Sequence, residues 1–313
     1  MLLIIALILA ILIILLGAYV TYRIAFHAPK HITDEEVLQH LPSTPVYQRF
    51  QKELRASVES MLVRSFEPVT ITTFDGKKLY ARYYHTANHA PVHIIFHGYK
   101  GNAVLDCSGG TAYALNLGHN ALVVDQRSHG KSEGNAITFG VKERKDCLCW
   151  IHYVLDRFGF DTKIILSGLS MGAATVLMAL DQELPENVVG VIADCPYSSP
   201  SAIIKKVCRV EMHLPSGLMY PLVKLGARLF AGFDLEESSA IDAVRNTKLP
   251  ILLIHGETDT FVPCDMSREI QKANPSVVSL LTIPNAEHAL SFIVGPKQYE
   301  EAVTAFVKEV SAS

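Results

Sequence analysis

The stretch Lys163–Asp181 constrains the fold more than any other part of the chain. It reads K-I-I-L-S-G-L-S-M-G-A-A-T-V-L-M-A-L-D. Ile164, Ile165 and Leu166 form a short apolar, β-branched run, the mark of a buried strand. From Ala173 to Leu180 nearly every position carries a good helix former. Between the two stands Gly168-Leu169-Ser170-Met171-Gly172. A strand that turns at once into a helix brings its backbone close to its neighbours, and side chains at Gly168 and Gly172 would collide there. The serine is held in a strained conformation, clear of the sheet edge, at a helix N-terminus. The positive end of the helix dipole and its free N–H groups favour a developing oxyanion at that point. In this strand–turn–helix setting, G-x-S-x-G predicts a nucleophile elbow with Ser170 as nucleophile.

A serine hydroxyl needs a base, and the base needs an acid to orient it. After an elbow of this kind the expected chain order is serine, acid, histidine. Ile251–Ile254 reads as a strand that runs into His255-Gly256-Glu257-Thr258-Asp259-Thr260-Phe261-Val262-Pro263. Asp259 is the predicted acid, with Glu257 and Asp194 as competitors. Leu280–Ile283 reads as another strand, ending in Pro284-Asn285-Ala286-Glu287-His288-Ala289, and His288 is the predicted base. The oxyanion hole needs two backbone N–H groups. Met171, directly after the serine, is one. The other is expected from Phe96-His97-Gly98-Tyr99-Lys100-Gly101-Asn102, at Tyr99, with Gly98 and Gly101 allowing a tight turn. His97, Asp125 and Arg127 are read as structural, and the Tyr99 phenol as a possible wall of the pocket.

From Val69 onward the pattern is regular. Val69–Thr73 and Leu79–Tyr84 flank an Asp75-Gly76 turn and predict a hairpin. Strands are expected next at His93–Phe96, Ala121–Val124, Ile164–Leu166, Val188–Ala193, Ile251–Ile254 and Val278–Ile283. Helices are expected at Gly110–Leu117, Val141–Phe158, Met171–Asp181, Cys264–Ala273 and Lys297–Val310. An antiparallel start followed by repeated β–α units implies an α/β fold, with a mostly parallel sheet covered on both faces. Tyr197–Ser239 breaks the rhythm: it is long, apolar and without a strand. It is read as a helical cap over the ligand-binding edge, at about 197–239, with Leu218 and Met219 as candidate substrate-pocket residues.

Residues 1–16 contain no polar side chain, and the first charge is Arg23. About 20 apolar residues match one bilayer crossing. No basic residue precedes the run and no small-residue cleavage site follows it, so an uncleaved anchor over residues 1–22 is preferred to a signal peptide. Tyr19, Tyr22 and Phe26 are read as interfacial aromatics beside Arg23 and Lys30. Positive charge only after the span points to a cytoplasmic body, and two charges leave the membrane face open. Residues 23–67 are read as a spacer leading to a surface helix, with helical stretches at Glu36–His40 and Pro45–Val63, and residues 68–313 as the catalytic domain.

The mean hydropathy of +0.23 arises largely from the N-terminal run. The net charge of −3 comes with no basic block, which argues against nucleic acid. The six cysteines lack both disulfide-scaffold and zinc-ligand spacing, so free thiols and no metal are expected.

The chain resembles the α/β-hydrolase superfamily through H-G-Y-K-G-N, D-Q-R-S-H-G-K-S-E-G, G-L-S-M-G-A, H-G-E-T-D-T-F-V-P and A-E-H-A, which stand in order over residues 69–310. Within it, the chain is similar to bacterial serine hydrolases of the serine-aminopeptidase or acyl-hydrolase-like group. That resemblance implies acyl transfer without a metal or organic cofactor and leaves the substrate open. The leading expectation is a membrane-anchored carboxylesterase for a small-molecule ester with an apolar acyl group. An aminopeptidase or amidase is the second, and would need an acid near the cap, where Glu211, Asp234, Glu236 and Glu237 occur. A catalytically silent binding protein on the same fold is the third. Oligomeric state stays open.

Overall fold

The computed structural model describes residues 1–28 and 31–312. Strands β1 (Glu67–Thr72), β2 (Lys78–Tyr84), β3 (Val92–Phe96), β4 (Asn120–Val124), β5 (Ile164–Leu169), β6 (Val188–Asp194), β7 (Ile251–Gly256) and β8 (Val278–Ile283) form one eight-stranded sheet in the order β1-β2-β4-β3-β5-β6-β7-β8. Only β2 runs against its neighbours; β3 to β8 are parallel. The expected hairpin is β1–β2, with Thr72 opposite Lys78.

The helices are α1 (Leu2–Ala25), α2 (Pro45–Gln48), α3 (Gln51–Leu62), α4 (Ala103–Asn116), α5 (Glu143–Phe158), α6 (Met171–Met178), α7 (Pro200–Lys206), α8 (Ser216–Gly226), α9 (Ala240–Val244), α10 (Asp265–Ala273), α11 (Ser291–Val294) and α12 (Pro296–Ala312). Successive strand residues point to opposite faces. Ile94, Phe96, Ile164, Leu166 and Val191 join α5 and α6 in the largest core. Ile95 and Val123 face α4 and α3, and Ile165 and Ile192 face α12. A sheet buried on both faces needs apolar runs rather than alternation, and these strands have them.

Helix α4 starts earlier than the expected Gly110. Asn102 caps it, its Oδ1 accepting from the Val104 N–H at 3.0 Å and the Leu105 N–H at 2.8 Å. Gly109 and Gly110 therefore lie inside the helix rather than before it. The stretch expected as a cap, 197–239, is helical: α7 and α8 with π-helical turns at Val207–Glu211 and Ala227–Ala231, followed by α9 before β7.

The N-terminus departs from expectation. Leu2 to Leu16 are exposed, but Ala18, Thr21, Tyr22 and Phe26 are buried in the protein. Tyr22 and Phe26 are therefore core aromatics, while Tyr19 keeps 40% of its surface; Lys30 lies outside the described residues. Gly226 lets α8 close on α1: a Cβ there would sit 2.4 Å from the Ala18 carbonyl oxygen. Thr21 Oγ1 donates to the Leu222 carbonyl at 3.2 Å, and Phe26 meets Phe139 and Phe233 edge-on. The Ile137 N–H donates to the Phe26 carbonyl at 2.7 Å. A boundary after residue 22 thus cuts through packed structure, because the end of the apolar helix supplies core side chains.

Candidate active site

Ser170 ends β5 and caps α6 at φ 54°, ψ −112°, a conformation L residues rarely adopt. The reason for the flanking glycines is steric. A Cβ on Gly168 would lie 2.3 Å from the Gly172 carbonyl, and one on Gly172 would lie 2.1 Å from the Phe96 carbonyl oxygen. The Ser170 N–H is tied to the Asp194 carbonyl at 2.8 Å, which pins the turn to the end of β6.

The three residues expected from separate loops come together. His288 Nε2 lies 2.9 Å from Ser170 Oγ, and His288 Nδ1 lies 2.7 Å from Asp259 Oδ2. An ionised carboxylate only accepts, so Nδ1 carries the proton and Nε2 is left to accept from the serine hydroxyl. Asp259 Oδ1 accepts from the Phe261 N–H at 2.9 Å and the Val262 N–H at 2.7 Å. His255 Nε2 adds a contact to Oδ2 at 3.2 Å. Burial alone would raise the Asp259 pKa; the bonds from His255 and His288 overcome it and take the carboxyl down to about 2. The competitors do not hold His288: Glu257 accepts from Thr282 Oγ1 at 2.8 Å, and the Asp194 Oδ1 has no hydrogen-bond partner among the described residues.

Met171 is the first residue of α6, and Tyr99 sits in the loop after β3. That loop is braced from below. The His97 Nδ1–H donates to the Gly98 carbonyl at 2.8 Å, while Nε2 accepts from the Gln126 N–H at 3.0 Å. Burial takes the His97 pKa down to about 4, so the ring is a neutral strut, as expected. Arg127 pairs with Asp146 and Asp75, and Asp125 accepts from the Ala103 and Lys131 N–H groups; both are structural. The Tyr99 phenol does not reach a pocket: it donates to the Ala25 carbonyl at 2.9 Å. Leu218 is 67% exposed and Met219 packs on the main core; neither lines the cavity beside Ser170.

That cavity, about 340 Å³, opens between α3, α4, α11 and α12 and reaches Gly168, Leu169 and Ala289. Sequence reasoning missed several residues here. Asp106, on α4, accepts from the Gly98 N–H at 2.8 Å. Tyr47, from α2, donates its phenol to the His288 carbonyl at 2.9 Å. An aspartate four residues past Asn102 carries no pattern of its own, and nothing in residues 31–67 announces a contact with a loop some 240 positions later. Cys195, Asp259 and His288 offer atoms within 4.8 Å of one another, but burial drives the Cys195 thiol pKa well up and so keeps it protonated, a poor metal ligand.

Known proteins share this fold. The family model described as alpha/beta hydrolase fold matches residues 91–241. The uncharacterized protein YqkD of Bacillus subtilis is 28% identical over 254 residues, covering 80% of this chain and 83% of that protein. Among solved structures, the Pyrococcus furiosus esterase Pf2001 superposes with a TM-score of 0.67 at 25% identity, covering 91% of this chain and 98% of that one. Est1E of Butyrivibrio proteoclasticus, solved with ferulic acid, gives 0.60 at 22% identity, with 78% and 100% covered, a likeness of fold. The family model and the superposition along nearly the whole of Pf2001 agree on the architecture: the chain has the alpha/beta hydrolase fold.

Proposed function

We propose that the protein is a serine hydrolase that cleaves a carboxylic ester through an acyl-enzyme. The observation that carries this reading is the continuous hydrogen-bonded line Ser170–His288–Asp259. In the first half-reaction His288 Nε2 takes the hydroxyl proton as Ser170 Oγ attacks the carbonyl carbon. The oxyanion forms against the N–H groups of Tyr99 and Met171. His288 then returns the proton to the departing alkoxide, which leaves as the alcohol. Water repeats the sequence on the acyl-serine, releasing the acid and restoring Ser170. Asp259 holds the Nδ1–H tautomer and offsets the charge on the imidazolium. The esterase Pf2001, similar along nearly its whole length, supports an ester over an amide.

The reading includes a membrane anchor. Helix α1 has 24 residues and a mean hydropathy of 3.2 in its most apolar window, with only 6% of that window buried. Leu218, Leu229 and Phe230 expose apolar surface on α8 and the turn after it, which pack on α1, and the Phe230 ring lies 5.3 Å from that of Tyr19. Residues 2–17 would lie in the bilayer and the catalytic domain would rest on its surface, with Arg23 favouring the cytoplasmic side. The domain proper then begins near Ala18.

A fluorophosphonate probe tests the chemistry. Wild-type protein should be labelled on one serine, and Ser170→Ala should lose both labelling and hydrolysis of p-nitrophenyl acetate at unchanged melting temperature. Near-wild-type turnover in Ser170→Ala would refute the mechanism.

A further inference from the structure

The cavity beside Ser170 has a charge pattern that a purely apolar acyl group does not explain. Leu54, Ile95, Leu105, Ile192, Phe292 and Val303 give it apolar walls, yet Asp106 and Asp194 face it and Glu53 stands among its lining residues. Among the described residues no lysine or arginine lines it. Asp194 is 6% exposed, and its Oδ1 has no hydrogen-bond partner among the described residues, although the Ser291 and Tyr299 hydroxyls stand close to the carboxylate. Ser291 Oγ, fully buried, is likewise unpartnered. Buried polar groups are nearly always satisfied, so a carboxylate that keeps one oxygen without a partner at a cavity wall can take a further donor from a ligand.

The cavity is close to the chemistry. A methyl built on Gly98 would lie 3.1 Å from Asp106 Oδ2 and 3.6 Å from Ser170 Cβ, so one methyl's width separates that carboxylate from the serine. On its α4 wall Gly109 lets the Phe292 ring approach, since a Cβ there would lie 3.1 Å from it. The acids of the cap do not compete for a cation, since each is already paired: Glu211 with Lys206, Asp234 with Arg228, Glu236 with Lys224, Glu237 with Arg144 and Lys145.

We propose that this cavity is the acyl pocket and that it takes an acyl group carrying a protonated amine, the ammonium resting against Asp194 and Asp106. The proposal rests on the serine-hydrolase reading and narrows its substrate class to esters of amino-bearing carboxylic acids. An ammonium donates three hydrogen bonds and accepts none, which suits facing carboxylates, and its alkyl stem suits the apolar walls.

The test compares methyl esters of ω-amino acids with neutral isosteres in a pH-stat: methyl 6-aminohexanoate against methyl heptanoate, and shorter pairs down to methyl glycinate against methyl propionate. In wild-type protein at least one amino ester should have a kcat/KM above its isostere by roughly tenfold or more. Asp194→Asn should cut that ratio by roughly fivefold or more, read as a ratio so that any general loss of activity cancels. Wild-type protein that hydrolyses the neutral esters as well as every amino ester overturns the pocket while leaving the serine mechanism standing. A preferred amino ester whose ratio survives Asp194→Asn, with the variant's melting curve intact, overturns the assignment to these carboxylates. Absence of all hydrolysis together with no fluorophosphonate labelling of Ser170 overturns the serine reading and the pocket with it.

Discussion

The Tyr99 hydroxyl donates to the carbonyl of Ala25 at 2.9 Å, joining the loop that carries a proposed oxyanion donor to the last turn of α1. Lys100 Nζ adds a bond to the Ile24 carbonyl at 3.2 Å, and the Tyr99 ring lies on Phe139, which in turn meets Phe26. The final carbonyls of a helix lack intrahelical partners, and here two side chains of the oxyanion loop satisfy them. The apolar helix is thus part of the frame that holds the site.

Truncation distinguishes the free part of α1 from the docked part. Removing residues 2–15 deletes exposed side chains and should leave the melting temperature within a few degrees. Removing residues 2–28 deletes fully buried Phe26 with Tyr22, Thr21 and Ala18. Loss of a buried phenylalanine alone costs about 3–5 kcal/mol, so the longer truncation should melt about 10 °C or more lower. Equal melting temperatures for the two would mean that docking contributes nothing.

Tyr99→Phe removes one hydrogen bond and keeps the ring. A net loss of about 1 kcal/mol at the loop should lower kcat on p-nitrophenyl acetate roughly fivefold. KM should move less than kcat, because an oxyanion donor acts on the transition state. A change confined to KM would argue that the bond shapes substrate access instead.

The central strands, the elbow and the Ser170–His288–Asp259 constellation were legible because each has a local signature. β-Branched runs mark strands buried on both faces, and glycine spacing marks a turn that admits no Cβ. The start of α4 was not legible, because Gly109-Gly110 looks like a boundary, while the cap at Asn102 shows itself only once its side chain is seen to fold back. The docking of Tyr22 and Phe26 was hidden for another reason. An aromatic at the end of an apolar helix suits a membrane interface as well as a protein core, and only the position of Phe139 and Phe233 decides between them. Tyr47 acts on a loop 241 positions away, and the Asp106 and Asp194 carboxylates face the cavity from α4 and the end of β6, placements that leave no periodicity.

Asp259→Asn should reduce kcat/KM by roughly 10⁴-fold, since the amide can stabilise the wrong tautomer of His288. Glu257→Gln should stay near wild type, because among the described residues the Glu257 side chain hydrogen-bonds only Thr282. If Asp194→Asn proved as damaging as Asp259→Asn on small neutral esters, the orienting acid would have to be placed after β6.

The last prediction concerns pH and stability. Burial pushes the Asp194 pKa from 3.8 up to about 6, with His255 and His288 offsetting only part of it, and burial likewise raises Asp106 to about 6. A carboxyl whose folded pKa lies above its unfolded value keeps its proton longer in the native state. Its contribution is therefore fully present below about pH 4, is lost as pH rises towards 6, and stays lost above that. A gap of this size corresponds to about 3 kcal/mol for Asp194. Asp194→Asn removes the charge and keeps the shape, so it should stabilise the protein at pH 8 relative to wild type and have little effect at pH 4.5. Urea unfolding at the two pH values reads the difference. A variant equally destabilised at both would show that the ionised carboxylate is satisfied in the native state. A stabilised variant at pH 8 would instead mark Asp194 as a residue that the fold tolerates at a cost, as sites shaped for a ligand commonly are.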